Sequence, residues 1–177
     1  PQVRQFYKEV VEDFLILEKG WKYEDIKSSA LQGYTEFPQI FKDYLDGTAE
    51  TNGLGQEKTC IMAGIVPLIY ETGCSSLSAW GDYTPDRSVV VGRNLDLPAS
   101  NFGRFAKYFN VVVFNPTGFP ASVANIDMIG GLFYQTAINS KGLFLELQNG
   151  QLSDGNFAME RLNSNNALLE SLFRNTT

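Results

Sequence analysis

Apolar residues at Phe6, Val10, Phe14 and Leu17 recur every three to four positions with charges between them, the spacing of a helix with one buried face. Gly20 is placed to end that helix. A second helical pattern runs from Pro38 to Leu45 through Ile40, Phe41 and Tyr44, with Gly47 and Thr48 behind it. The segment Thr51-Asn52-Gly53-Leu54-Gly55 reads as a loop. The apolar run from Ile61 to Tyr70 fits a buried helix or a buried strand, and periodicity alone does not choose.

From residue 74 the pattern changes to short β-branched and apolar runs punctuated by turn residues. Ser75–Trp80 and Ser88–Gly92 read as the arms of a hairpin that starts at Cys74, with turn chemistry at Asp82-Tyr83-Thr84-Pro85-Asp86. Further strands are predicted at Tyr108–Phe114, Ser122–Ile129, Phe133–Ile138 and Leu143–Gln148. Asn115-Pro116-Thr117-Gly118 and Asn139-Ser140-Lys141-Gly142 supply turns, and a last helix is predicted over about Ala158–Phe173. Helices, then grouped strands, then a helix indicate an α+β fold rather than alternating βαβ units. The natural division is a largely helical stretch 1–73 and a strand-rich stretch 74–177.

Composition narrows the chemistry. The chain has 177 residues, two cysteines and no histidine. It can build neither a Ser-His-Asp nor a Cys-His arrangement, and no zinc site that needs histidine or four cysteines. A proton shuttle must be a carboxylate, lysine, tyrosine or a terminal amine. The excess of 20 acidic over 14 basic residues argues against a surface for nucleic acid. The longest apolar run is about half the ~20 residues that span a bilayer. No cofactor or metal is expected. Pro1 in place of methionine suggests upstream processing or truncation, and exported and cytoplasmic placement both stay open.

One constellation carries chemistry. If 75–80 and 88–92 pair, Cys74 opens one arm while Arg93 and Asp96 follow the other. A guanidinium near a thiol stabilises thiolate, the nucleophilic form. A carboxylate can orient a proton carrier. Without histidine, the base near neutrality is a free α-amine, with an unperturbed pKa of about 7.7–8.0. That requires a cut between Gly73 and Cys74, where glycine leaves the carbonyl open to the neighbouring thiol.

Gly73-Cys74-Ser75-Ser76 followed by Gly92-Arg93-Asn94-Leu95-Asp96 resembles the N-terminal-nucleophile (Ntn) cysteine hydrolases, in particular choloylglycine hydrolases, penicillin V acylases and the acyl-CoA:6-aminopenicillanate acyltransferase type. A third segment agrees: Asn139-Ser140-Lys141-Gly142-Leu143 and the strand after it are similar to that family's turn, which leads to an active-site asparagine, here Asn149. Leu45-Asp46-Gly47-Thr48-Ala49-Glu50 resembles the propeptide of the acyltransferase branch. The resemblance covers about 40 to 177. It implies an αββα sandwich, incomplete in this chain, with 1–73 a propeptide-like segment and 74–177 the first part of the core. It also implies Cys74 as the nucleophile released by self-cleavage after Gly73, Arg93 beside the thiolate, Asp96 on the new α-amine and Asn149 in the oxyanion hole.

Two features depart from the family. The Gly81–Arg87 turn lengthens the gap from Cys74 to Arg93 relative to the bile-salt enzymes. Family members are roughly twice as long and supply a second asparagine and another arginine from their later half. Asn163, Asn165, Asn166 and Arg174 are expected to be solvated rather than to fill those roles. A second chain or the remaining half of the protein is therefore expected to complete the site, and self-association into a homo-oligomer is expected as well. The implied activity is hydrolysis of a small-molecule acyl amide through a thioester. Acyl transfer on the same scaffold and a non-catalytic binding module are the alternatives. A Cys60–Cys74 disulfide would block the nucleophile, and Cys60 otherwise reads as a small buried hydrophobe. Phe102, Phe105, Phe133 and Tyr134 suit either an acyl pocket or the core. Trp21, Tyr23 and Tyr34 suit core or interface. Asp43, Asp46 and Glu50 lack the spacing of a calcium loop.

Overall fold

The first amphipathic pattern winds as a helix that changes pitch. In the computed structural model, which describes residues 2–69, 74–96, 103–132, 136–148 and 171–175, α1 (Gln2–Phe6) continues as a π-helix over Tyr7–Glu18. The wider turn closes hydrogen bonds five residues back, as from the Lys19 N–H to the Phe14 carbonyl at 2.9 Å. It also shifts the buried face. Tyr7, Val10, Val11, Phe14 and Leu15 are buried, while Leu17, expected on that face, is 75% exposed.

Three α-helices follow. α2 (Tyr23–Glu36) has one buried side chain, Ile26, which explains why no hydrophobic stripe announced it. α3 (Gln39–Asn52) begins after Pro38 as expected but runs past Gly47 and Thr48. It ends at Gly53, whose φ of 71° is left-handed. The Arg4 guanidinium crosses Gly53 so closely that a Cβ there would sit 1.9 Å from Nη2. The left-handed backbone makes Gly53 the stop, with Thr51 and Asn52 in the helix rather than in the expected loop. The apolar run after Cys60 is helical, within α4 (Gln56–Ile69). Among the described residues no helix is long and apolar enough to cross a membrane.

The strands form two sheets. β1 (Cys74–Ala79) and β2 (Val90–Leu95) make an antiparallel hairpin. β3 (Phe109–Phe114), β4 (Val123–Met128), β5 (Thr136–Asn139) and β6 (Phe144–Glu146) make a four-stranded antiparallel sheet in sequence order. This grouping is α+β. One face of the larger sheet packs on the helices. Phe6, Val10, Phe14, Ile61 and Met62 share a core with Phe105, Tyr108 and Met128. Phe41, Leu45 and Ala63 share another with Val123, Ala137, Leu172 and Phe173. Residues before and after position 73 thus build common cores. On the sheet's other face, Val111, Val113, Ile126 and Ile138 form an apolar stripe, each between 47% and 64% exposed.

The turn between β5 and β6 is held by Asn139, which is 4% exposed. Its Oδ1 accepts the backbone N–H groups of Lys141 at 3.0 Å and Leu143 at 2.8 Å. Its Nδ2 donates to the carbonyls of Leu172 and Asn175, each at 2.9 Å. Of the predicted last helix, 171–174 are helical, and the rest lies outside the described residues.

Two predictions follow from these contacts. Asn139→Ala strands buried backbone groups and is expected to cost about 3 kcal/mol, read as a lower urea midpoint at unchanged slope. Glu9, bonded by Lys107 and Gln5, has its carboxyl lowered to about 2. The charged form therefore stabilises the fold above the unfolded value of about 4.3, and that gain is lost as pH falls towards 2. Glu9→Gln should lower stability at pH 7 by less than about 1 kcal/mol and leave no difference from wild type near pH 2, by urea titration at both pH values.

Candidate active site

Strand pairing assembles the site. The hairpin register sets Cys74 opposite Leu95 and Ser76 opposite Arg93, so these four residues share one face. The seven-residue tip Gly81–Arg87 is organised by its own bonds. The buried Thr84 hydroxyl donates to the Ser88 carbonyl at 2.8 Å, and Asp86 accepts the Ser88 hydroxyl at 2.6 Å. The extra length between Cys74 and Arg93 is absorbed there and does not separate the two. β2 starts at Val90 and runs to Leu95, rather than spanning 88–92, so Arg93 lies within the strand.

The Arg93 guanidinium has three partners. Nη2 donates to the Cys74 sulfur at 3.3 Å and to the Leu147 carbonyl at 2.6 Å, and Nη1 donates to the Thr136 hydroxyl. Thr136 lies in β5 and Leu147 just beyond β6, so one side chain ties the hairpin to the larger sheet. A second link runs beside it. Gln148 Nε2 donates to Ser76 Oγ at 2.7 Å and to Glu146 Oε1 at 2.9 Å. Glu146 is the register partner of Thr136. Arg93, Thr136, Glu146, Gln148 and Ser76 therefore close a polar ring around the guanidinium that holds the thiol.

Asp96 is placed differently. It is exposed and its carboxylate accepts the Asn94 side-chain amide. Strand alternation puts Asn94 on the face opposite Arg93 and Cys74. The structure brings Cys74 and Arg93 together and leaves Asp96 across the pleat, one residue beyond the partner of Cys74. Gly73 and Asn149 lie outside the described residues, although Arg93 grips the backbone two positions before Asn149.

The two cysteines are free and their environments differ. No disulfide blocks Cys74. Cys60 is 1% exposed, and burial, then the Asp46 charge, pushes its thiol up to about 11. Cys74 is half-buried with a cationic donor on its sulfur. Among the described residues no group of three or more metal-ligating side chains could hold a metal ion. Phe105 belongs to the core, edge-on to Phe14 at 5.2 Å. Phe102, Phe133, Tyr134, Asn163, Asn165 and Asn166 lie outside the described residues, and Arg174 is exposed over the Phe119 ring. Tyr23 and Tyr34 bond to Glu57 and Asp46, at the interfaces between helices. Asp43 accepts from Gln39, and Asp46 accepts from Tyr34 and Gln56.

Sequence reasoning missed Thr136, Gln148, Ser76 and Glu146. The signal was present only in part: alternation places Thr136 and Glu146 on one face once β5 and β6 pair, but which sheet face meets the hairpin is a tertiary fact. No family model, curated protein or solved structure matches the chain.

The contact between the Arg93 guanidinium and the Cys74 sulfur sets up a test of thiol reactivity. Iodoacetamide at pH 7.5 should modify Cys74 and spare Cys60 until urea is added. Arg93→Ala should slow Cys74 labelling by about tenfold. Arg93→Lys, which keeps the charge but loses the planar fork, should fall between. An unchanged rate in a folded Arg93→Ala protein would show that the guanidinium does not act on the sulfur.

Proposed function

We propose that this chain is a cysteine amidohydrolase of the N-terminal-nucleophile type, acting on the C–N bond of a linear acyl amide. The carrying observation is the Cys74 sulfur at the first residue of β1 with the Arg93 guanidinium 3.3 Å away. The proposed architecture is the αββα sandwich. The exposed stripe Val111, Val113, Ile126 and Ile138 supports it, because an apolar sheet face of that kind calls for a covering layer. In this reading a second chain or a further part of the protein supplies that layer.

Processing comes first. The Cys74 thiol attacks the Gly73 carbonyl, the C–N bond breaks to leave a thioester and a free α-amine on Cys74, and water hydrolyses the thioester to release the Gly73 carboxylate and the thiol. In turnover the thiolate, held by Arg93, attacks the substrate carbonyl. Asn149 is proposed to receive the oxyanion. The α-ammonium protonates the departing amine, leaving a thioester on Cys74. The α-amine then takes a proton from water as it attacks, and the acid and thiolate are released. Asp96, beside the end of β2, is proposed to orient that amine. With an amine in place of water the same thioester gives acyl transfer, and product analysis with a competing amine separates the two.

Mass spectrometry of the purified protein should find a chain starting at Cys74, with pieces of 73 and 104 residues from the 177. Cys74→Ala should stop both cutting and amide turnover. An intact wild-type chain that still turns over amides would refute self-processing. A Cys74 that labels no faster than a free thiol would favour a binding module.

A further inference from the structure

We infer that Glu146 recognises an ammonium group carried by the amide substrate, through its Oε2. This rests on the amidase reading. Glu146 is the last residue of β6 and faces the same side of the sheet as Thr136, which takes one arm of the Arg93 guanidinium. Its Oε1 is fixed by Gln148, whose second bond reaches Ser76, the register partner of Arg93. The carboxylate is therefore held in the polar cluster that includes Arg93, one cross-strand step from the residue Arg93 binds.

Its other oxygen is unserved. Oε2 is fully buried and has no hydrogen-bond partner among the described residues. Among the described residues no lysine or arginine nitrogen lies within the 4.0 Å of an ion pair to Glu146; the two Nη atoms of Arg93 are engaged by Cys74, Thr136 and Leu147, and its buried Nε, which also has no partner, lies beyond that distance. A desolvated carboxylate oxygen without a donor is costly, and native proteins rarely keep one without a use. A cationic N–H donor on the substrate supplies Oε2 with the partner it lacks, and charged donors make the stronger bonds to carboxylate. The substrate class is thus an aminoacyl or aminoalkyl amide.

The test uses the full chain and p-nitroanilides in matched pairs, aminoacyl against the acyl compound of the same length without the amine. Wild type should favour the aminoacyl member in kcat/KM by about tenfold or more, as one charge-assisted bond allows. In Glu146→Gln, which is isosteric and still accepts from Gln148, that preference should fall towards unity, mainly through KM. Glu146→Asp should recover part of it. The second measurement is protection of Cys74 from iodoacetamide by the matching aminoacyl and acyl primary amides. The cationic amides should protect wild type at about tenfold lower concentration, and the difference should vanish in Glu146→Gln. If wild type cleaves neither class, the amidase reading fails and protection alone decides the role of Glu146. Equal protection by cationic and neutral amides, or a preference that survives Glu146→Gln, overturns the proposal.

Discussion

The arrangement of the site depends on one guanidinium. The β1–β2 hairpin has almost no core of its own. Leu77 is 77% exposed, and no described residue of either strand is buried. Apolar packing cannot fix such a hairpin against the larger sheet, since burial is what that force is proportional to. The fixing falls to directional bonds. Arg93 presents a planar fork of N–H donors to a sulfur, a hydroxyl and a backbone carbonyl on three separate segments. The bond that orients the thiol therefore belongs to the joint that docks the hairpin, and the two cannot be varied independently.

The helical layer has a different task. The π-helix and α4 pack against Tyr108 and Met128, and α3 packs beneath β4 and β5. This layer fills one face of the sheet and leaves the other, with Thr136 and Glu146 on it, to the hairpin and the site. It also separates the two thiols by environment. Cys60 lies buried on α4, where desolvation favours the protonated form. Cys74 sits at a strand end with a cation at its sulfur. Identical side chains thus differ in burial and in the charge beside them.

What the sequence made legible was local. Cys74 and Arg93 could be set at one end of a hairpin because antiparallel pairing is nearly fixed once its arms are recognised. The strand texture from 74 to 148 was legible for the same reason. The helices were harder. Leu17 was misplaced because the face was projected at 3.6 residues per turn and the chain winds wider there. Gly47 looked like a stop, yet α3 runs through it to Asn52. Gly53 is the true stop because the chain there turns into the left-handed region that glycine adopts freely. The polar ring was illegible because its five members lie on four strands and beyond, and no local pattern pairs Ser76 with Gln148.

The Asn-x-Lys-Gly turn shows how a motif can serve a site without touching it. Every hydrogen-bonding position of the Asn139 amide is spent on backbone, two bonds within the turn and two to the segment at 172–175. Nothing of that side chain is left for chemistry. Yet this turn sets the register of β6 on β5, with Thr136 against Glu146. A slip of one residue would carry Glu146 to the helix face and the Leu147 carbonyl away from Arg93. Gly142, at φ 89°, makes the tight reversal possible, since a side chain is strained in that conformation. The turn therefore acts on the thiol through three physical steps: it fixes the strand pair, the strand pair presents Thr136 and the Leu147 carbonyl, and these hold the guanidinium in place on the sulfur.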